Sequence, residues 1–303
     1  MSHRLPVRHL LLLSCLTASS AAQELQPRAY LPAPVGLNYF GISYSKNKGG
    51  LLLDPGLAMG DAPLSAHVST FAFGQTLGLA GRTVQLLACV PYVVAKGESS
   101  FGGGGYGNYY SGLGDSSFRF AMNLYGAPAM NLKEFRAYRQ KTIVGASLTV
   151  AAPTGQYDPK RPVNLGLNRW AFKPEVGFSR AAGKYTFEGA AGVWLYTANH
   201  RFNGISVRRQ VPLGSVQVHV ERSLPRRMWI AADWTGYMGG RTQVNGKDNP
   251  DYQGNTRLGA TWGVSIHPRH AIKVVYFRNV IARVGSDLAS LGISYNFIWQ
   301  RGR

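Results

Sequence analysis

The chain has 303 residues, of which 16% are charged, 12% aromatic and 37 are glycine, with a formal net charge of +19. Against the usual ~25% charged residues and ~7% glycine, this balance suits a sheet protein with one apolar surface more than a core can bury. No segment beyond the N-terminus approaches the ~20 consecutive apolar residues of a membrane helix, so helical spans are excluded and any span must be β.

The opening MSHRLPVRHLLLLSCLTASSAAQE has the three parts of a secretory signal: Arg4 and Arg8, an apolar run from Leu10, and small residues before Gln23. Cleavage is expected after Ala22, which divides the chain into a signal peptide, 1–22, and one barrel domain, 23–303. A cut before Cys15 would instead give a lipoprotein, but the run Leu10–Leu13 ahead of it is short for that. Losing Arg4 and Arg8 leaves +17, an excess that calls for anionic neighbours, and export disfavours nucleic acid among them. Cys89 is then the one remaining cysteine, so no internal disulfide can form.

Period-2 alternation over about ten residues recurs along the chain, broken by Gly, Pro, Asn and Asp clusters. Strands are predicted at 36–46, 65–79, 83–96, 114–125, 141–152, 168–181, 184–197, 213–224, 226–239, 255–267, 270–280 and 288–299. The connections at 80–82, 182–183, 225 and 267–269 are tight, whereas 47–64, 97–113, 153–167, 198–212, 240–254 and 281–287 are long. About twelve strands, an even count, with short periplasmic turns facing long outer loops, define an all-β, antiparallel up-and-down barrel of the outer membrane of a Gram-negative bacterium. The connection 126–140 is long on the short side, and Leu132, Phe135 and Tyr138 point to a short periplasmic helix there. The last strand, LASLGISYNFIW, ends in the alternating aromatics of a closing strand, with Phe297 and Trp299 at an interface girdle.

The faces follow from the alternation. In NRWAFKPEVGF, Trp170 and Phe172 are expected to meet lipid, and Arg169, Lys173 and Glu175 to line the lumen; Pro174 should cause a bulge or local irregularity. The same reading places Arg119, Glu188, His219, Glu221, Asp233, Arg257 and Lys273 inward. These charges either pair with each other as internal struts or guide a solute. With Arg169 and Lys173 opposed on their strand by Glu175 alone, that wall is net positive and favours anions. Twelve strands leave a narrow passage. Outside, Lys46, Lys48, Lys160, Arg161, Arg201, Arg208 and Arg209 are expected to meet lipopolysaccharide phosphates.

The stretches GDSSFRFAMNLYGAPA (114–129), PTGQYDP (153–159), NLGLNRWAFKPEVG (164–177), AGVWLYTAN (191–199) and GGRTQVNG (239–246) together resemble the outer-membrane transporter family of the phenol-degradation (MetA-pathway) type. The resemblance runs from about residue 30 to the end and departs at Gln300-Arg301-Gly302-Arg303, which follows the closing aromatics. It implies a transmembrane β-barrel associated with uptake of hydrophobic or aromatic compounds, and it carries over no site residues.

Other motifs read as ordinary surface. FGGGGYGNYYSG (101–112) lacks the Lys-Ser/Thr and helix of a phosphate cradle, so it is an outer loop whose Tyr106, Tyr109 and Tyr110 offer stacking faces at the mouth. NGKDNPDYQGN (245–255) lacks the acidic spacing of a calcium loop, and one cysteine with scattered histidines makes no zinc set. No metal and no cofactor are expected. His219 and Glu221 suggest a lipid-hydrolysing barrel only if a nucleophile and an orienting group join them, which spacing does not provide. The expectation is therefore a non-enzymatic channel for small hydrophobic or aromatic, partly anionic, solutes. The alternatives are a structural or lipid-hydrolysing barrel and a secreted β-sandwich.

Overall fold

The computed structural model describes residues 27–49, 64–98, 107–161, 164–283 and 289–300. The leader, its cleavage site and Tyr106 lie outside these residues. In chain order the strands are β1 (Leu37–Gly49), β2 (Leu64–Leu79), β3 (Arg82–Glu98), β4 (Gly107–Leu113), β5 (Ser116–Tyr125), β6 (Thr142–Ala152), β7 (Ala171–Ala182) and β8 (Tyr185–Tyr196). They continue with β9 (Asn199–Phe202), β10 (Ser206–Gln210), β11 (Leu213–Ser223), β12 (Met228–Gly239), β13 (Thr242–Val244), β14 (Lys247–Asp248), β15 (Gln253–His267), β16 (His270–Ile281) and β17 (Ala289–Gln300).

Closure is direct. β1 pairs antiparallel with β2 on one side and with β17 on the other, the latter in unbroken register from Leu37↔Gln300 to Lys48↔Ala289. Both β4 and β5 pair with β3, one after the other, so they form a single stave interrupted at Gly114-Asp115 and the barrel has 12 staves. The expected strand count therefore holds. The expected outer loop at 97–113 is shorter than read, because β3 and β4 prolong the wall past the membrane. The loops 198–212 and 240–254 likewise carry structure: β9, β10, β13 and β14 form a separate four-stranded sheet above the outer end.

The outward face is the apolar one. Phe118, Phe120, Trp170, Phe178, Val216, Val218, Leu258 and Ile266 are exposed, while Gln217, His219, Glu221, Asp233 and Arg257 on the alternate positions are buried. A soluble barrel would invert this pattern; a membrane barrel requires it. Trp170 and Phe172 stack on that outer face, ring centroids 6.3 Å apart. Pro174 produces a gap rather than a bulge. The β7–β8 ladder runs from Ala171↔Tyr196 to Phe172↔Leu195, skips Lys173 and Pro174, and resumes at Glu175↔Gly192 in the same register. On its other side Pro174 still lies opposite Leu148 of β6.

At the periplasmic end the helix expected from Leu132, Phe135 and Tyr138 is α1 (Leu132–Ala137), started by an Asn131–Glu134 capping box and resting on buried Phe135. Its connection carries Lys133, Arg136, Arg139 and Lys141, with Glu134 used in the cap. Four hairpin loops carry two successive residues with φ > 0: Ala80-Gly81, Asn203-Gly204, Arg226-Arg227 and Asn245-Gly246. Such turns favour Asn and Gly. The Arg226-Arg227 turn has neither, so each arginine there is held in the left-handed region at a cost of about 1 kcal/mol.

Residues 27–36, which the strand pattern leaves unassigned, run inside the barrel. Pro27 and Tyr30 to Pro34 are buried. Gln85 donates to the Leu31 carbonyl at 3.1 Å, Thr76 Oγ1 bonds the Pro34 carbonyl, and Val35 N donates to Met130 O at 2.8 Å. The wall is cut to receive this segment. Gly145 of β6 and Gly177 of β7 lie opposite one another in the register, and a Cβ on either would collide with the Tyr30 ring. Gly177→Val is therefore expected to expel Tyr30 at a cost of about 1–3 kcal/mol, typical of overpacking. Trypsin should then cut after Arg28 in the folded variant and spare the wild type, as read by intact mass.

Candidate functional site

Among the described residues, most of the buried ionisable groups lie in the lumen, and the alternation that faces them inward also forces them to find partners there. Burying a charge is costly unless it is paired. One row crosses three strands in register: Glu188 of β8, His219 of β11 and Asp233 of β12. His219 Nδ1 and Asp233 Oδ1 are 2.7 Å apart, and Thr261 donates to the other Asp233 oxygen at 2.7 Å. Glu221 does not interact with His219, two residues away, in this way. Its carboxylate takes both Nε and Nη2 of Arg28 from the N-terminal segment, a two-point grip that suits a guanidinium. The Arg28 backbone N–H points to Glu188, and its guanidinium lies 4.1 Å from the Trp229 ring centroid.

One layer toward the outside, Glu175 gathers three partners. Lys173 Nζ lies 2.5 Å from it, Tyr30 donates to it at 2.8 Å, and Gln217 donates at 3.2 Å. Arg119, half-buried, stands 3.9 Å away and 5.2 Å from the centroid of the Tyr30 ring. The N-terminal segment thus neutralises or orders each of the carboxylates Glu175, Glu188 and Glu221. Sequence reading missed it. The accessible signal was the pair of glycines at inward positions of β6 and β7, where a wall would otherwise present side chains.

The outer part of the lumen is different. Arg169 precedes β7 rather than lying on it and is buried; Nη2 donates to Gln210 of the outer sheet at 2.5 Å and the guanidinium lies 4.5 Å from the Tyr196 centroid. Burial lowers its pKa, with Tyr196 and Asp115 opposing. Arg257 is held between Tyr237 and Phe277, 5.0 and 5.7 Å away, and its Nε donates to Asn279 at 2.9 Å. In both arginines Nη1 is buried without a hydrogen-bond partner among the described residues. Lys173 lies 5.9 Å from Trp194, whose cluster with Ala171, Leu213 and Tyr237, flanked by Tyr196, links the two arginine sites. Lys273 is buried on β16, opposite Ser294.

Three sequence expectations need correction. Tyr109 and Tyr110 belong to β4 rather than to a loop, and the alternation separates them. Tyr109 is exposed beside Lys96 on the outer surface, while Tyr110 packs inward against Ala66, Val68, Val93 and Ala95. Lys48, read in the loop 47–64, projects with Lys46 from the outer end of β1. Arg208 is buried in the outer sheet beside Phe202, where burial brings its pKa down to about 10 against the opposing field of Asp251.

A closed twelve-stave sheet, apolar outside and charged inside, defines an outer-membrane β-barrel protein whose lumen is partly filled by its own N-terminal segment. Residues 57–297 match the model of the "MetA-pathway of phenol degradation" family, and the chain belongs to that family. In fold it is similar to the crystal structure of an outer-membrane channel from Pseudomonas putida F1, with 20% identity, a TM-score of 0.76, and 91% of this chain and 100% of that one covered. It is more distantly similar to the β domain of the Bordetella autotransporter BrkA, at 14% identity and a TM-score of 0.52, covering 87% of this chain and 100% of that one. No curated protein sequence matches the chain.

Removing Glu221 would leave Arg28 buried without its counter-ion. Glu221→Gln is expected to destabilise the barrel by about 3 kcal/mol, seen as a lower denaturant midpoint for the heat-modifiable folded band. Adding Arg28→Gln should recover most of the loss, because the cost lies in the orphaned charge.

Proposed function

We propose that this protein is a channel for small aromatic solutes that carry a negative group, such as aromatic carboxylates. The observation that carries the reading is the pair Arg169 and Arg257. Each guanidinium is buried against aromatic rings and retains a bare Nη1. A guanidinium stacked on rings attracts a π face, and its free N–H attracts a carboxylate, so one site serves both halves of such a solute. The family's link to phenol degradation supports the aromatic half, and the likeness in fold to an outer-membrane channel from Pseudomonas putida F1 suits the channel reading. Among the described residues, Arg169 and Arg257 have no carboxylate within ion-pair distance, which supports the anionic half.

In this reading Arg169, Arg257, Lys173 and Lys273 line the path, and Arg119, Glu175, Glu188, His219, Glu221 and Asp233 frame the constriction that the N-terminal segment narrows. Tyr110 flanks the mouth. The exposed Lys46, Lys48, Lys160, Arg161, Arg201 and Arg209 near the outer end suit lipopolysaccharide phosphates. The domain limits proposed with it are a leader at 1–22 and the barrel from 23.

Planar-bilayer reversal potentials under a salt gradient are expected to report anion preference, moving toward zero in an Arg169→Gln/Arg257→Gln variant. In liposomes, benzoate flux should fall about tenfold in that variant, the loss of one charge-assisted bond, while flux of phenol stays unchanged. Cation preference in the wild type, or equal loss for both solutes, would refute the guiding role.

A further inference from the structure

One group of cations at the periplasmic end lies outside the lumen on the arc of the barrel from β7 to β12, apart from Arg82, Arg269 and the basic connection before β6. Outward positions of β7 read Val176, Phe178, Arg180, and those of β11 read Val216, Val218, Val220, Arg222, all exposed. Each row is lipid-facing until its last member, so both arginines stand one strand step beyond the apolar band, at headgroup depth. Between these strands lies β8, whose Tyr185 and Phe187 stack on the outer surface with centroids 6.4 Å apart. The register places Arg180 opposite Phe187 and Arg222 opposite Tyr185, with the Arg222 guanidinium 5.8 Å from the Tyr185 ring. An aromatic pair is thus flanked on both sides by arginines at the membrane boundary.

The adjoining turns add exposed Lys184 and the Arg226-Arg227 pair. None of these five cations has a carboxylate within ion-pair distance among the described residues. The Arg226-Arg227 turn is the second, independent observation. The three other loops with two successive left-handed residues, two of them in the outer sheet, place Gly with Asn or Ala there, whereas here two arginines occupy that backbone against their conformational preference. A strained conformation persists where the surroundings use it.

We infer that the periplasmic rim of β7, β8, β11 and β12 is a binding site for anionic phospholipid headgroups of the inner leaflet of the outer membrane. Arginine forks suit phosphate oxygens, the ring pair anchors the glycerol region, and the turn presents two more cations on the same side. This site is separate from the lumen and does not depend on what the channel carries.

The test is native mass spectrometry of the detergent-solubilised barrel titrated with phosphatidylglycerol or phosphatidylcholine. The wild type is expected to prefer phosphatidylglycerol, with the preference falling about fivefold for each cation neutralised in Arg180→Gln, Arg222→Gln and Arg227→Gln. Lys247→Gln, on the exposed outer sheet, should keep it. Arg227→Gly separates lipid binding from folding, since it should raise the unfolding midpoint of the folded band by relieving the turn yet still lower the preference. Equal binding of the two lipids by the wild type would overturn the proposal and leave the arc to an acidic periplasmic surface. So would a loss in the Lys247 variant as large as in the rim variants.

Discussion

Closure of the sheet through β1 and β17 is the constraint on which everything else rests. In hydrocarbon no water can satisfy a backbone N–H or C=O, so a spanning sheet has to return to its first strand. Once it does, the two faces have opposite solvents, and the period of two in the chain is converted into a lipid surface and a lumen. Pro174 shows how strict that demand is. A residue without an N–H sits in a spanning strand and the ladder simply skips it, keeping one register on both sides, since a slip would turn the charges of β7 toward lipid.

The second constraint is electrostatic. Glu175, Glu188, Glu221 and Asp233 lie close together on neighbouring strands, and β11 and β12 answer one of them with His219. Glu175 is met by Lys173 and Gln217 of the wall as well as by Tyr30, while Glu188 and Glu221 draw on a piece of chain that lies inside the wall. Arg28 and Tyr30 reach them from inside, and the wall gives up side chains at Gly145 and Gly177 to let them in. The outer lumen follows another logic, with guanidiniums supported by rings and amides and left partly unsatisfied. One barrel therefore holds a neutralised inner section and a cationic outer section.

Most of the wall was legible from alternation, because lipid and lumen impose opposite polarity on successive residues. The inward positions of Lys173, Glu175, His219 and Arg257 needed nothing more. β4 was not legible, since its glycine-rich approach reads as loop while its hydrogen bonds come from β3 across the turn. The strands of the outer sheet are two to five residues long, too short for a period to show, although Asn203-Gly204 and Asn245-Gly246 are hairpin signals. The partners of the lumen charges were beyond reach for a different reason. Arg28 and Glu221 are 193 residues apart, and a segment whose structure is fixed by what surrounds it has no periodicity of its own.

The inner segment also has a consequence for the order of assembly. Residues 27–36 leave the cell interior before any strand, yet the groove for Tyr30 exists only after β6 and β7 have paired, and the seat of Arg28 only after β11 has joined them. β1 itself is completed on one side by the last strand to be made. The first part of the chain to arrive is thus among the last to settle, and until then the nascent lumen stands open with its carboxylates solvated. Once the seam has shut, the segment can come and go only lengthwise through the periplasmic end, like a cork that was inside the neck before the bottle was blown.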